Sequence, residues 1–205
     1  MQKMSSVMNR QQQVMDIATR NGIINARDVE SAGISRNYLY SLQKNGLLKK
    51  IEHGIYMPKT IQISENFDFL EVAKRVPKAV FCLISALVFH QLTTEIQHEI
   101  WIALPKGSWI PKIHYPPINI SFVSLSPYTY GIEEHKINDA AIRIYSPAKT
   151  VADCFKFRSK VGLDVAIEGL KEALRTKKAT PDEIMRAAKV NRVTKIIQPY
   201  LEALI

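Results

Sequence analysis

The sequence has few cysteines, and these lack the spacing that disulfide frameworks and structural metal sites require. Only two occur in 205 residues, Cys82 and Cys154, each within an apolar stretch. We therefore expect buried, reduced thiols and no metal or other cofactor. The longest apolar run, residues 79–89, is too short to span a bilayer, and the polar first residues show no signal-peptide pattern. These features favour a cytoplasmic protein.

Arrangements of residues that carry catalysis are also missing. The five histidines are scattered and show no HExxH or similar ligand spacing. Residues 146–150 (SPAKT) have no glycine to expose backbone N–H groups to a phosphate. The Gly107-Ser108 pair is not followed, at a useful distance, by the Asp-x-Asp that would hold two metal ions. We expect no enzymatic activity and no catalytic residue.

The charge of the chain is positive and unevenly distributed. The formal net charge is +9, but residues 61–146 carry only seven basic residues against eight acidic ones. Residues 1–60 carry nine against four, and residues 147–205 carry twelve against seven. Two basic ends around a neutral middle indicate a polyanionic partner more than a general device for solubility, although merely solvated basic faces remain an alternative.

The first 60 residues read as three helices followed by a hairpin. Apolar spacing and stop signals predict helices at 12–20, 26–31 and 36–45, the last one capped by Ser35 and ended by Gly46. Residues 48–51 and 55–57 then read as two strands around a turn that contains Gly54. This order predicts a winged helix-turn-helix domain over residues 1–60.

The third predicted helix carries the candidate nucleic-acid contacts. Leu39 and Leu42 define its buried side, and Tyr38 and Gln43 lie at the border. The helix contains no acidic residue, whereas an ordinary surface helix would carry Glu–Lys pairs. Its outward side chains are of the kinds that bond to base edges and phosphates in a major groove. They are Arg36, Asn37, Tyr40, Ser41 and Lys44.

The hairpin adds three candidate contacts to the phosphate backbone, namely Lys49, Lys50 and His53. Because helix order, charge and turn residues agree, double-stranded DNA is the predicted partner. The alternative is a small α/β module that is merely basic.

Residues 61–205 are predicted to form a mixed α+β domain that ends in a helical segment, so the whole chain is α+β. We expect helices at 65–76, 79–92, 147–157 and 163–175, a capping box at Thr180, and strands at 98–104, 118–124 and 141–145. Prolines mark the loops between the strands.

Four segments, in order along the chain, resemble one known family. They are residues 46–56 (GLLKKIEHGIY), 83–93 (LISALVFHQLT), 146–158 (SPAKTVADCFKFR) and 198–201 (QPYL). In these segments the chain is similar to the AbiEi antitoxin family. The resemblance implies an N-terminal winged helix, a C-terminal α+β antitoxin domain and repression of the protein's own operon through inverted repeats in the promoter.

The same resemblance implies a type IV toxin–antitoxin system that defends bacteria against phage. Its toxin would be a co-encoded nucleotidyltransferase-like protein that the antitoxin need not contact. Candidate antitoxin residues, with solvated helix faces as the alternative, are Lys156, Arg158, Lys160, Arg186, Lys189 and Arg192. Two other functions stay open: a stand-alone winged-helix regulator with a ligand-sensing or dimerising C-terminal domain, and an RNA-binding or structural module. Because one winged helix makes a small interface, tight binding would need self-association on DNA or a second contact surface.

Overall fold

A computed structural model describes residues 2–52, 54–60 and 67–204, with the backbone alone for residues 2–9. The chain divides into two compact units. Unit 1 comprises residues 1–77 and 136–142, and unit 2 comprises residues 78–135 and 143–205. Within the described ranges, none of the helices combines the length and the apolar composition needed to cross a lipid bilayer. The predicted α+β fold class is confirmed.

Unit 1 begins with three helices and a small three-stranded sheet. In chain order the elements are α1 (Gln2–Asn21), β1 (Ile24–Asn25), α2 (Ala26–Ser31), α3 (Asn37–Lys44), β2 (Leu48–Glu52), β3 (Ile55–Pro58) and α4 (Phe67–Arg75). The strand order is β1-β3-β2, and both pairings are antiparallel. Residues 24 and 25 pair with residues 56 and 55, so the short strand after α1 closes the sheet of the wing. This arrangement is a winged helix, as the sequence predicted.

The helix ends of unit 1 follow local hydrogen bonding. Asn25 and Asp28 form a capping box at α2: the side chain of Asn25 accepts from the amide of Asp28 at 3.2 Å, and Asp28 accepts from the amide of Asn25 at 2.8 Å. The cap of α3 differs from the expectation, since Arg36 occupies the cap position with helical backbone angles. Ser35 still contributes, because its Oγ accepts from the amide of Asn37 at 3.4 Å.

Unit 1 extends to Pro77, beyond the domain boundary predicted at residue 60. The last turn of α4 explains the difference, because it carries cations that pair with the winged helix. Lys74 Nζ lies 2.5 Å from Asp28 on α2, and Arg75 Nη2 lies 2.7 Å from Glu52 on β2. Such pairs depend on side chains distant in sequence, so local patterns around residue 60 do not indicate them.

Unit 2 contains most of a five-stranded mixed sheet and the remaining helices. Its elements are β4 (Val80–Phe81), α5 (Leu83–Phe89), β5 (Ile100–Pro105), β6 (Ile118–Val123), α6 (Leu125–Thr129), β7 (Ile132–Ile137), β8 (Ala140–Tyr145), α7 (Pro147–Lys156), α8 (Arg158–Val161), α9 (Leu163–Arg175), α10 (Pro181–Asn191) and α11 (Thr194–Glu202). The strand order is β6-β5-β4-β8-β7; β5 and β6 run parallel, as do β4 and β8. The residues between β7 and β8 belong to unit 1.

The single helix predicted over residues 79–92 is wrong at its beginning. Val80 and Phe81 form β4, which pairs with Ala103 and Ile102 of β5, and helix α5 begins only at Leu83. A continuous apolar run is compatible with a buried strand as well as with a buried helix, so hydrophobicity alone does not distinguish the two. The sequence reading also missed β7, whose polar residues hide the strand pattern at the edge of the sheet.

Two charged residues of the segment 146–158, which resembles AbiEi sequences, form a buried ion pair. Lys149 is fully buried, and its Nζ lies 2.5 Å from Oδ1 of Asp153, one helical turn further along α7. Asn191 of α10 donates to the same oxygen at 2.8 Å, and the ring of Tyr145 lies 4.3 Å from the Lys149 ammonium. Lys149 and Asp153 thus neutralise each other inside unit 2 and are not available to an external ligand.

Candidate nucleic-acid interface

Two leucines set the orientation of α3. Leu39 and Leu42 are 2% and 0% exposed, and they pack into the core of the winged helix with Val14, Val29 and Leu48. Because α3 has 3.6 residues per turn, burying this side turns its opposite side to solvent. The exposed predicted contacts are Arg36, Asn37, Tyr40 and Lys44. Ser41 is less exposed than these residues: it is half-buried, and its Oγ accepts a long hydrogen bond of 3.4 Å from the side chain of Gln11 on α1.

Tyr40 joins α3 to the wing. Its ring is 57% exposed, yet it meets the ring of Tyr56 on β3 edge-to-face, with 6.4 Å between centroids. Tyr56 is buried; burial raises its pKa, and the neighbouring Tyr40 adds to that shift. The Tyr40 ring therefore supports the packing of the wing, and its hydroxyl remains the part suited to a nucleic-acid contact. The role of Tyr56 was not predictable from local sequence patterns, because it depends on the packing of β3 against α3.

The wing presents adjacent cations to solvent. Lys49 and Lys50 are both exposed on β2, opposite Met57 and Tyr56 of β3. The strand register shifts between Lys50 and Glu52, which is the mark of a β-bulge, and a bulge increases the local twist of a hairpin. His53, the third predicted wing contact, lies outside the described residues. The exposed cations of α3 and β2 thus belong to one small unit.

Arg75 contacts the wing next to its turn, because Glu52 is the last residue of β2 and pairs with Ile55 across the hairpin. This guanidinium donates to the carboxylate of Glu71 on its own helix and also lies 2.7 Å from Glu52 on β2. Glu71 is 1% exposed, and burial raises its pKa; the charge of Arg75 opposes the shift, while Glu52 and Asp68 add to it. Arg75 is thus the cation that offsets a buried acid and fixes the strand carrying Lys49 and Lys50. Sequence patterns show a basic end to α4 but not its partners.

Comparison with protein families gives a match in this region. Residues 12–59 match the family of transcriptional regulators described as AbiEi antitoxin. The matched segment runs from within α1 to the residue after β3, so it covers most of the winged helix and all of its predicted contacts. The AbiEi resemblance predicted from sequence motifs is confirmed for this part of the chain. No curated protein matches the sequence.

One solved structure resembles nearly the whole chain. The crystal structure of the RV2827C protein from Mycobacterium tuberculosis aligns with a TM-score of 0.56 and 12% identity, covering 95% of this chain and 81% of that one. At this identity the likeness concerns the fold. It extends past the winged helix into unit 2, where the family match does not reach.

Replacing Arg75 with methionine tests the anchoring of the wing. Arg75→Met leaves Glu71 buried without its cation, which costs roughly 3–5 kcal/mol for such pairs. We expect amide hydrogens of β2 and β3 to exchange about two to four orders of magnitude faster, as measured by hydrogen–deuterium exchange. The double variant Arg75→Met/Glu71→Gln removes the buried charge and should recover much of the protection. Unchanged exchange in Arg75→Met would contradict the anchoring role.

Proposed function

We propose that this protein is a DNA-binding transcriptional autorepressor and the antitoxin of a type IV toxin–antitoxin system. It counteracts a co-encoded nucleotidyltransferase-like toxin and recognises inverted repeats in its own promoter. The observation that carries the proposal is the solvent-facing side of α3, which offers a guanidinium, an amide, a phenol and an ammonium and contains no acid. The family match over residues 12–59 supports the same proposal.

Each candidate contact has a chemical role in this proposal. Asn37 and Arg36 lie at the start of α3, the end that contacts base edges in helix-turn-helix proteins. Asn pairs with adenine through two hydrogen bonds, and Arg pairs in the same way with guanine. Tyr40, Ser41 and Lys44 lie further along α3 and supply further contacts in the groove, with base edges or with the sugar–phosphate backbone. Lys49, Lys50 and His53 of the wing neutralise adjacent phosphates.

One winged helix buries too little surface for tight and specific binding by itself. Two copies on inverted repeats would raise the affinity, because the second binding event then occurs at a high effective concentration. Self-association on DNA is therefore part of the proposal.

The antitoxin function is assigned to unit 2. The support is the resemblance of residues 83–93, 146–158 and 198–201 to AbiEi sequences. Because Lys149 and Asp153 are occupied with each other inside the core, the motif at 146–158 supports this function by preserving the fold of the unit. Surface cations of the later helices, Arg158 and Arg186 among them, remain the candidates for external contacts.

Promoter binding by single variants tests the regulatory half of the proposal. Asn37→Ala is expected to weaken binding to the promoter by about 1–3 kcal/mol and to bring it closer to binding of a scrambled duplex. Lys50→Ala should weaken binding to both duplexes and reduce the slope of log affinity against log salt by about 1. Fluorescence anisotropy with labelled duplexes measures both effects.

Two control variants accompany this experiment. Lys171→Ala removes an exposed cation from unit 2 and should leave the promoter affinity unchanged. Tyr40→Phe keeps the contact with the Tyr56 ring, so it separates the loss of the hydroxyl from loss of wing packing in Tyr40→Ala. A full preference for the promoter in Asn37→Ala would remove Asn37 from the interface. Unchanged promoter binding by a stable variant with Arg36, Tyr40 and Lys44 all replaced by alanine would remove α3.

Co-expression tests the antitoxin half. The proposal expects a nucleotidyltransferase-like gene next to this one. When induced alone, that gene should arrest growth, and co-expression of the full chain should restore growth. The variants Asn37→Ala and Lys50→Ala should restore growth as well as the wild-type chain does, because neutralisation is assigned to unit 2. For this comparison the wild-type chain and both variants are expressed from a promoter other than their own. No such neighbouring gene, or no rescue, would refute the antitoxin and leave the stand-alone regulator.

A further inference from the structure

Unit 2 contains a long loop, which the topology of its sheet requires. Strands β5 and β6 are parallel neighbours, with Ile100 opposite Ile118 and Pro105 opposite Val123. The chain must therefore return about 17 Å, the length of the strand pair, before β6 begins. Such crossovers usually contain a helix. Here residues 106–117, all of them described, contain no helix or strand, and we call them the aromatic loop.

The aromatic loop is tied down at both ends and stiffened by prolines. The amide of Lys106 donates to the carbonyl of Val123 at 2.9 Å, and the carbonyl of Pro117 accepts from Ile100 at 2.8 Å. Pro116, within the loop, is buried. Prolines reduce the conformational freedom of the chain, so side chains on this loop are held outward at a low entropic cost.

Large apolar side chains project from this loop into solvent. Trp109, Ile110 and Tyr115 are 74%, 60% and 63% exposed. Among described residues of the chain, ten large hydrophobic side chains are exposed, and three of them lie in these few residues. Scattered exposed apolar residues are ordinary on a protein surface, but such a concentration marks an interaction site.

The charge of the same region is positive. The aromatic loop contains Lys106 and Lys112, both exposed, and no acidic residue. Lys156 on α7 belongs to the same unit; burial lowers its pKa, Asp153 opposes that shift, and the charges of Lys149, Arg192 and Lys106 add to it. A polyanion is the partner that this surface complements.

We propose that the aromatic loop binds single-stranded nucleic acid, with the rings of Trp109 and Tyr115 stacking on bases and Lys106 and Lys112 contacting phosphates. Exposed aromatic rings interleaved with cations are the usual surface for unpaired strands, since every base has a face on which a ring can stack. In a duplex those faces are already stacked, so a duplex offers only phosphates to this loop. The activity is separate from promoter recognition by α3.

Tryptophan fluorescence of the full-length protein provides the test. The chain has two tryptophans, and Trp101 is only 9% exposed, so a bound strand changes the emission of Trp109. Titration with dodecamers of uridine and of thymidine should give saturable quenching, which distinguishes RNA from DNA as the preferred strand. A duplex dodecamer and anionic lipid vesicles should give little quenching. Equal or stronger quenching by the duplex or the vesicles would overturn the proposal.

Variants assign the binding to the loop. With a fluorescein-labelled strand, Trp109→Ala should bind about 5- to 150-fold more weakly, whereas Trp109→Phe keeps a ring and most of the affinity. Lys112→Gln should lower the salt slope by about 0.7. Ile96→Ala, 75% exposed but outside the loop, should bind normally. If Trp109→Ala binds like wild type, or if Lys50→Ala abolishes binding, the strand lies elsewhere and the assignment is wrong.

Discussion

Burial of Leu39 and Leu42 is the constraint from which the candidate interface follows. These two side chains are almost fully removed from water, which at about 25 cal/mol per Å² is worth some kilocalories per mole for the pair. Rotating α3 by half a turn would expose them and bury Asn37 and Lys44. Apolar packing on one side of the helix therefore keeps the polar side chains of the other side in solvent. No hydrogen bond or ion pair among those polar side chains is needed to hold them there.

The wing depends on longer-range interactions. Tyr56 packs against Tyr40, and Glu52 pairs with Arg75, so β2 and β3 are held from α3 on one side and from α4 on the other. These contacts explain why unit 1 includes α4. A shorter piece that ended at residue 60 would lose Arg75 and would leave Glu52, next to the turn of the hairpin, without this cation.

Sequence patterns correctly predicted those helices and strands whose ends are determined by residues close by in the chain. The bounds of α2 and α9, the capping box of Thr180 with Glu183, and the buried side of α3 all agree with the structure. Elements determined by distant residues were not predictable in this way. Strand β4 exists because β5 and β8 lie beside it, and Arg75 gains its role from Glu52, more than twenty residues earlier. The contacts assigned to α3 and the wing remain predictions, since they concern a partner outside the chain.

Amide chemical-shift mapping of the full chain with its own promoter duplex shows whether α3 takes part in recognition. We expect the largest changes on the backbone of residues 36–45 and 48–56, and little change at amides near the buried Lys149. Saturable binding of the duplex without changes in residues 36–45 would contradict this expectation, because the acid-free side of α3 would then have no part in recognition.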